Sequence, residues 1–205
     1  STGNTSASMA SYARMAGLLP IVLIPDGKIS SGKLSQALAY GALTLQVQGN
    51  FDDALSAVQE VCSEQGIYLM NSLNPYRIEG QKAILIEALQ QRAWVVPDWI
   101  VLPGGNLGNT SAVGKALREM LELGLIDKIP RVAVIQAAGA NPFFKMFRDR
   151  DEQLMPIQPE TFATAIRIGN PVSWGKAARV MQECQGVVLD LDEQQIAEAK
   201  WEIDR

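Results

Sequence analysis

Histidine is absent from all 205 residues. That excludes Ser-His-Asp and Cys-His nucleophilic catalysis and nearly every zinc enzyme, which leaves lysine, carboxylates, hydroxyls or a cofactor to carry any chemistry. Cysteine is scarce: Cys62 and Cys184 are too few for a disulfide framework or a metal finger. A reducing cytoplasm is the simplest home for such a chain. No apolar run approaches the ~18 residues that span a bilayer, and the opening residues do not read as a signal peptide. Basic tracts are missing too, beyond isolated pairs such as those between Lys145 and Arg150, and 22 acidic against 18 basic residues give a net charge of −4. Neither a membrane nor a nucleic acid is expected as a partner.

What is present is an ordinary globular composition, 47% apolar and 20% charged. Such a chain can bury a real core, as one large domain or two small ones. Small and apolar residues recur at helical spacing over residues 4–17, and a short apolar run over 18–24 reads as a buried strand. Residues 28–41 suit a second helix and 44–48 a second strand. Asn50 or Asp52 is placed to cap a helix through residue 65, and 67–70 reads as a third strand. After the turn-rich residues 71–77 the alternation resumes. Helices are expected over 79–91, 109–123, 173–185 and 193–204, with strands over 99–102, 131–136 and 187–191. Residues 143–147 read as a short helix at best, and prolines keep 155–171 mostly irregular. Helix-then-strand repetition implies parallel sheets. The expected fold class is therefore α/β, with two open, mainly parallel sheets flanked by helices. A boundary near residue 70 divides a small domain, 1–70, from a larger one, 71–205. The turn-like opening, and a last helix with no strand after it, point to an excerpt from a longer protein.

Three segments carry chemistry. Leu102-Pro103-Gly104-Gly105-Asn106-Leu107-Gly108-Asn109-Thr110 joins a strand to an amphipathic helix. Glycines there let backbone amides converge on an anion at a helix N-terminus, although glycine-rich turns also serve as plain connectors. The segment lacks the Gly-Lys-Ser/Thr of a Walker loop and the spacing of a dinucleotide fingerprint. Ser1-Thr2-Gly3-Asn4-Thr5-Ser6 opens a helix with hydroxyls and an amide, which makes either a carboxylate nest or an N-cap. Asn71-Ser72-Leu73-Asn74-Pro75-Tyr76-Arg77-Ile78-Glu79-Gly80-Gln81-Lys82 sets a planar arginine fork beside short polar side chains. That set suits a phosphate ester, or an interdomain linker with a surface arginine.

In this order the three segments resemble the threonine synthases, which are fold-type II pyridoxal-phosphate enzymes with a tryptophan synthase β-like architecture. Further matching stretches are Gly49-Asn50-Phe51-Asp52-Asp53-Ala54, Gln136-Ala137-Ala138-Gly139-Ala140 and Ala165-Ile166-Arg167-Ile168-Gly169-Asn170-Pro171. The resemblance implies pyridoxal 5'-phosphate as cofactor and conversion of O-phospho-L-homoserine and water to L-threonine and phosphate. It gives Asn4 to the phenolic oxygen of the cofactor, and Thr2, Gly3 and Thr5 to the substrate carboxylate. Gly105, Asn106, Leu107 and Gly108 would hold the cofactor phosphate, with Asn109 reaching towards substrate. Asn71, Ser72 and Arg77 would grip the substrate phosphate. Dehydratases of the same fold usually carry three or four consecutive glycines at the cofactor phosphate, which the two asparagines here replace. The family's Schiff-base lysine precedes the Ser-Thr-Gly-Asn turn, and its pyridine-nitrogen contact lies in a C-terminal segment. No lysine of this chain (Lys28, Lys33, Lys82, Lys115, Lys128, Lys145, Lys176, Lys200) matches that position. These residues alone are thus expected to be inactive, and the complete enzyme to be a cytoplasmic homodimer. A threonine or serine dehydratase, or a non-catalytic anion-binding module, is the alternative.

Overall fold

A computed structural model describes residues 4–25, 31–48, 51–70 and 74–205. The chain divides into two units, Ser1–Asn71 and Ser72–Arg205.

The first unit runs α1 (Asn4–Met15), β1 (Ile21–Pro25), α2 (Ser31–Ala39), β2 (Leu43–Val47) and α3 (Phe51–Gln65). β1 and β2 pair in parallel with Ile21 opposite Leu43. Alternation along β1 buries Val22 and Ile24, which pack with Ala10, Ala37 and Ala42 into a small core. The third strand expected at 67–70 does not form: the sheet has two strands among the described residues, and Tyr68 and Met70 stand exposed. Strand formation needs a ladder for the backbone N–H and C=O groups as well as apolar side chains, and the side chains of 67–70 carry no information about that ladder.

The second unit runs α4 (Tyr76–Gln91), β3 (Trp99–Pro103), α5 (Gly108–Glu122), β4 (Arg131–Ala137), α6 (Pro142–Asp149), α7 (Trp174–Glu183), β5 (Val187–Leu191) and α8 (Glu193–Ile203). Its sheet is parallel throughout in the order β3-β4-β5. β4 lies in the middle and is buried along most of its length, which is why it reads Val132-Ala133-Val134-Ile135. α5 turns Val113, Ala116, Leu117 and Met120 into the core against Leu85 and Leu89 of α4 and Ala177, Val180 and Met181 of α7. Each large side chain there contributes about 1.5–3 kcal/mol by leaving water. α8 is held by a capping box: Asp192 accepts from the Gln195 amide at 2.8 Å, and Gln195 accepts from the Asp192 amide at 3.0 Å. Among the described residues no helix is long and apolar enough to cross a membrane, and no cluster of metal-ligating side chains occurs.

Charges close the seam between α4 and α5. Lys82 reaches Glu79 and Glu119, each at 2.6 Å, and Lys115 pairs with Glu79 and with Glu119. Lys115, then Lys82, hold the Glu79 carboxyl below its ordinary value of 4.5. A depressed carboxylate stabilises the fold above its unfolded value, and that contribution fades as pH falls through the lower folded value. Glu79→Gln is therefore expected to lower the thermal midpoint slightly at neutral pH and to converge with the parent in acid, so that its fall below about pH 4.5 is flatter. Circular dichroism melts across that range check this, and parallel curves for parent and variant would contradict it.

Candidate cofactor-phosphate site

The chain leaves the sheet at the carboxyl end of β3, next to the central strand. Gly104 is pinned at once: its N–H donates to the Ile135 carbonyl at 2.6 Å, and its carbonyl accepts from Gln136 Nε2 at 3.0 Å. Beyond it Leu107 adopts the left-handed conformation, φ 61° and ψ 9°, just before α5 begins at Gly108. A leucine pays about 1–2 kcal/mol for that geometry. Here the side chain is 2% exposed and packed in the core, which offsets the strain and fixes the turn.

The turn gathers donors. The Leu107 carbonyl accepts from the Ser111 amide at 3.1 Å and the Ser111 hydroxyl at 2.9 Å. The N–H groups of residues 105–110, by contrast, meet no acceptor among the described residues. They lie at the N-terminus of a four-turn helix whose first turn holds no acidic residue. Such converging amides form an anion-binding nest, reinforced by the helix dipole. Thr110 Oγ1 and Asn109 Oδ1 are buried beside them without a partner.

Other segments wall the nest. Asn106 Oδ1 accepts from the Val172 amide at 2.9 Å, and its carbonyl accepts from the Ser173 amide at 3.3 Å. Asn106 thus fastens the chain before α7 to the loop and keeps its own amide N–H free. A Cβ on Gly105 would stand 3.3 Å from the Ala165 carbonyl oxygen, and one on Gly108 would meet Gln81 Oε1 at 3.9 Å and Ser173 Oγ at 4.0 Å. Sequence reasoning gave no role to Gln81, Ser173 or Gln136. The signal for Gln136 was there, as a lone amide ending an apolar run.

Arg77 lies in the first turn of α4, one turn before Gln81 and so on the same helix face. It is partly buried, and its guanidinium has no partner among the described residues. Asn74 turns the chain into that helix, its Oδ1 accepting from the Tyr76 amide at 2.9 Å and its carbonyl from the Arg77 amide at 3.1 Å. In the first unit Asn4 begins α1 and is exposed, and the Thr5 carbonyl accepts from Ser8 Oγ at 3.2 Å. Thr2, Gly3, Asn71 and Ser72 lie outside the described residues, as does Asn50.

A family model described as pyridoxal-phosphate dependent enzyme matches residues 1–203. The chain belongs to the pyridoxal-phosphate-dependent enzyme family. Its nest suits the cofactor's phosphate monoester: backbone donors, a helix N-terminus, a buried unpaired hydroxyl on Thr110, and no carboxylate in the first turn of α5. Among curated family members, the threonine synthase of Methanocaldococcus jannaschii is 48% identical over 201 residues, 98% of this chain and 50% of that protein. The threonine synthase of Methanosarcina acetivorans is 47% identical over 206 residues, all of this chain and 51% of that protein. The chain thus spans about half the length of the curated relatives it matches. A solved maize serine racemase superposes with a TM-score of 0.75 at 22% identity, over 96% of this chain and 56% of that one, a likeness of fold.

Proposed function

We propose that the complete protein carrying this chain is a threonine synthase, converting O-phospho-L-homoserine and water to L-threonine and phosphate. The observation that carries this reading is the nest of unengaged amides at residues 105–110 in a unit that also holds Arg77, whose guanidinium is likewise unengaged. A reaction that expels phosphate from a substrate needs a second anion grip besides the one for the cofactor.

Bound pyridoxal phosphate supplies an electron sink for the carbanions that form at successive substrate carbons. The amides of Gly105, Asn106, Leu107 and Gly108 hold its phosphate, and Asn109 extends towards the substrate. Arg77, with Asn71 and Ser72, holds the substrate phosphate. As the carbon–oxygen bond breaks, negative charge grows on that phosphate, where a planar guanidinium meets it with two donors. Asn4 serves the cofactor's phenolic oxygen, while Thr2, Gly3 and Thr5 orient the substrate carboxylate. We assign no lysine of this chain to anchor the cofactor. Lys82 and Lys115 are tied to Glu79 and Glu119, Lys128 to Asp98, and Lys200 to Asp204. The same reading makes the complete enzyme a homodimer, and the free Cys62 and Cys184 suit the reducing cytoplasm.

The test supplies the complete protein with pyridoxal phosphate and O-phosphohomoserine. Threonine and inorganic phosphate are expected in equal amounts. Ammonia released from threonine or serine, with no turnover of the phosphate ester, would move the assignment to a dehydratase. Failure to bind pyridoxal phosphate would leave only an anion-binding module.

A further inference from the structure

Gln136 is the last polar side chain expected in the middle of a sheet. It is 1% exposed on β4, yet both ends of its carboxamide are engaged: Nε2 donates to the Gly104 carbonyl at 3.0 Å, and Oε1 accepts from the Phe144 amide at 2.9 Å. Those partners fix which end of the amide is which, since a carbonyl can only accept and an N–H only donate. The contact with Gly104 is also steric. A Cβ there would stand 2.9 Å from Gln136 Cγ and 2.7 Å from Val134 Cγ1, so the backbone of Gly104 lies directly on this part of β4. With its own N–H bound to Ile135, Gly104 has both polar groups committed to β4. The next residue is the first whose N–H is free.

We propose that Gln136 is a positioning residue for the cofactor-phosphate loop: it braces the Gly104 carbonyl against the start of α6, so that the amides of residues 105–108 face the phosphate. This rests on the role proposed for residues 105–108. Gln136 touches neither cofactor nor substrate and acts through the peptide it holds. A glutamine suits the task because one uncharged group supplies the donor and the acceptor in a dry site. The charged group in register is Asp190 of β5, which accepts from Asn141 Nδ2 at 2.7 Å, and the nearby cation of Arg148 on α6 is itself paired with Asp149.

Two variants of the complete protein test this by equilibrium binding of pyridoxal phosphate, with pyridoxal as the ligand that lacks the phosphate. Gln136→Glu reproduces both hydrogen bonds only while its carboxyl is protonated, a form favoured by burial and by Asp190 on the neighbouring strand. Relative to the parent at each pH, its affinity is expected within about threefold near pH 6 and about tenfold or more weaker near pH 8.5. Gln136→Met keeps the shape and leaves both backbone groups unpaired, so about a tenfold loss is expected at both pH values. Pyridoxal affinity should move little in either variant. A ratio to the parent that does not change with pH in the first variant, or parent-like binding in the second, overturns the proposal. If the parent itself binds pyridoxal as tightly as its phosphate, the assignment of the loop fails instead. Should neither variant fold, hydrogen exchange in the parent decides: added pyridoxal phosphate should slow exchange at Phe144 together with residues 105–108, and unchanged exchange at Phe144 overturns the role.

Discussion

Arg77→Ala in the complete protein is expected to lower kcat/KM for O-phosphohomoserine by about 10²–10⁴-fold. A guanidinium holding a phosphate makes two charge-assisted hydrogen bonds, each contributing roughly 1.5–3 kcal/mol, and about 1.4 kcal/mol corresponds to a factor of ten. Stability should hardly change, because the guanidinium has no partner among the described residues that its removal would orphan. On the proposed assignment, in which the amides of residues 105–108 rather than Arg77 hold the cofactor phosphate, affinity for pyridoxal phosphate should stay within about twofold. Arg77→Lys should fall between parent and alanine, retaining charge while losing the planar fork. Steady-state phosphate release measures the first effect and cofactor titration the second. Unchanged turnover by the alanine variant would remove Arg77 from the substrate site, and a matching loss of cofactor affinity would make it part of the cofactor site instead.

Much of the fold was legible because its signals are local. Glycine runs, helical spacing and short β-branched runs located most of the helices and strands, and the parallel pairing of both sheets followed from their alternation. The misreadings have physical reasons. Residues 67–70 carry strand-like side chains, and side-chain type cannot reveal whether a partner strand is available. α6 is longer than its pattern promised because Pro142 occupies the first turn, where a missing N–H costs nothing, while Phe143 and Met146 are buried. The candidate site divides the same way. The donor-rich turn at 104–110 could be read from glycine and asparagine between a strand and a helix. The walls could not: Asn106 is engaged by Val172, Gly108 is approached by Gln81 and Ser173, and Gly104 is braced by Gln136. Each of these partners is far away in the chain, so only the folded backbone brings it near.

Gly139→Ala should be among the most damaging single-methyl additions to the second unit. A Cβ at Gly139 would stand 1.8 Å from the Glu160 carbonyl oxygen, while the Glu160 amide already donates to the Gly139 carbonyl at 2.8 Å. The obstacle is backbone, so no rotamer change relieves it. Gly169 repeats the arrangement, with a Cβ 1.8 Å from the Ile157 carbonyl oxygen and an Ile157 amide bound to the Gly169 carbonyl at 3.0 Å. These two close approaches pin an otherwise irregular stretch whose Ala165 and Ile166 abut Gly105 and whose end is fastened to Asn106. Forcing the backbones apart should cost about 3 kcal/mol or more and loosen the wall of the candidate phosphate nest along with it. Gly175→Ala supplies the contrast, since a Cβ there meets nothing within 4 Å and the residue lies in α7. It should be neutral or stabilising by up to about 1 kcal/mol. Urea unfolding compares the two, and cofactor titration of the Gly139 variant near its midpoint reads the effect on the loop. Equal midpoints would mean that the Glu160 carbonyl yields at no cost, and that the footing of the loop rests on β4 alone.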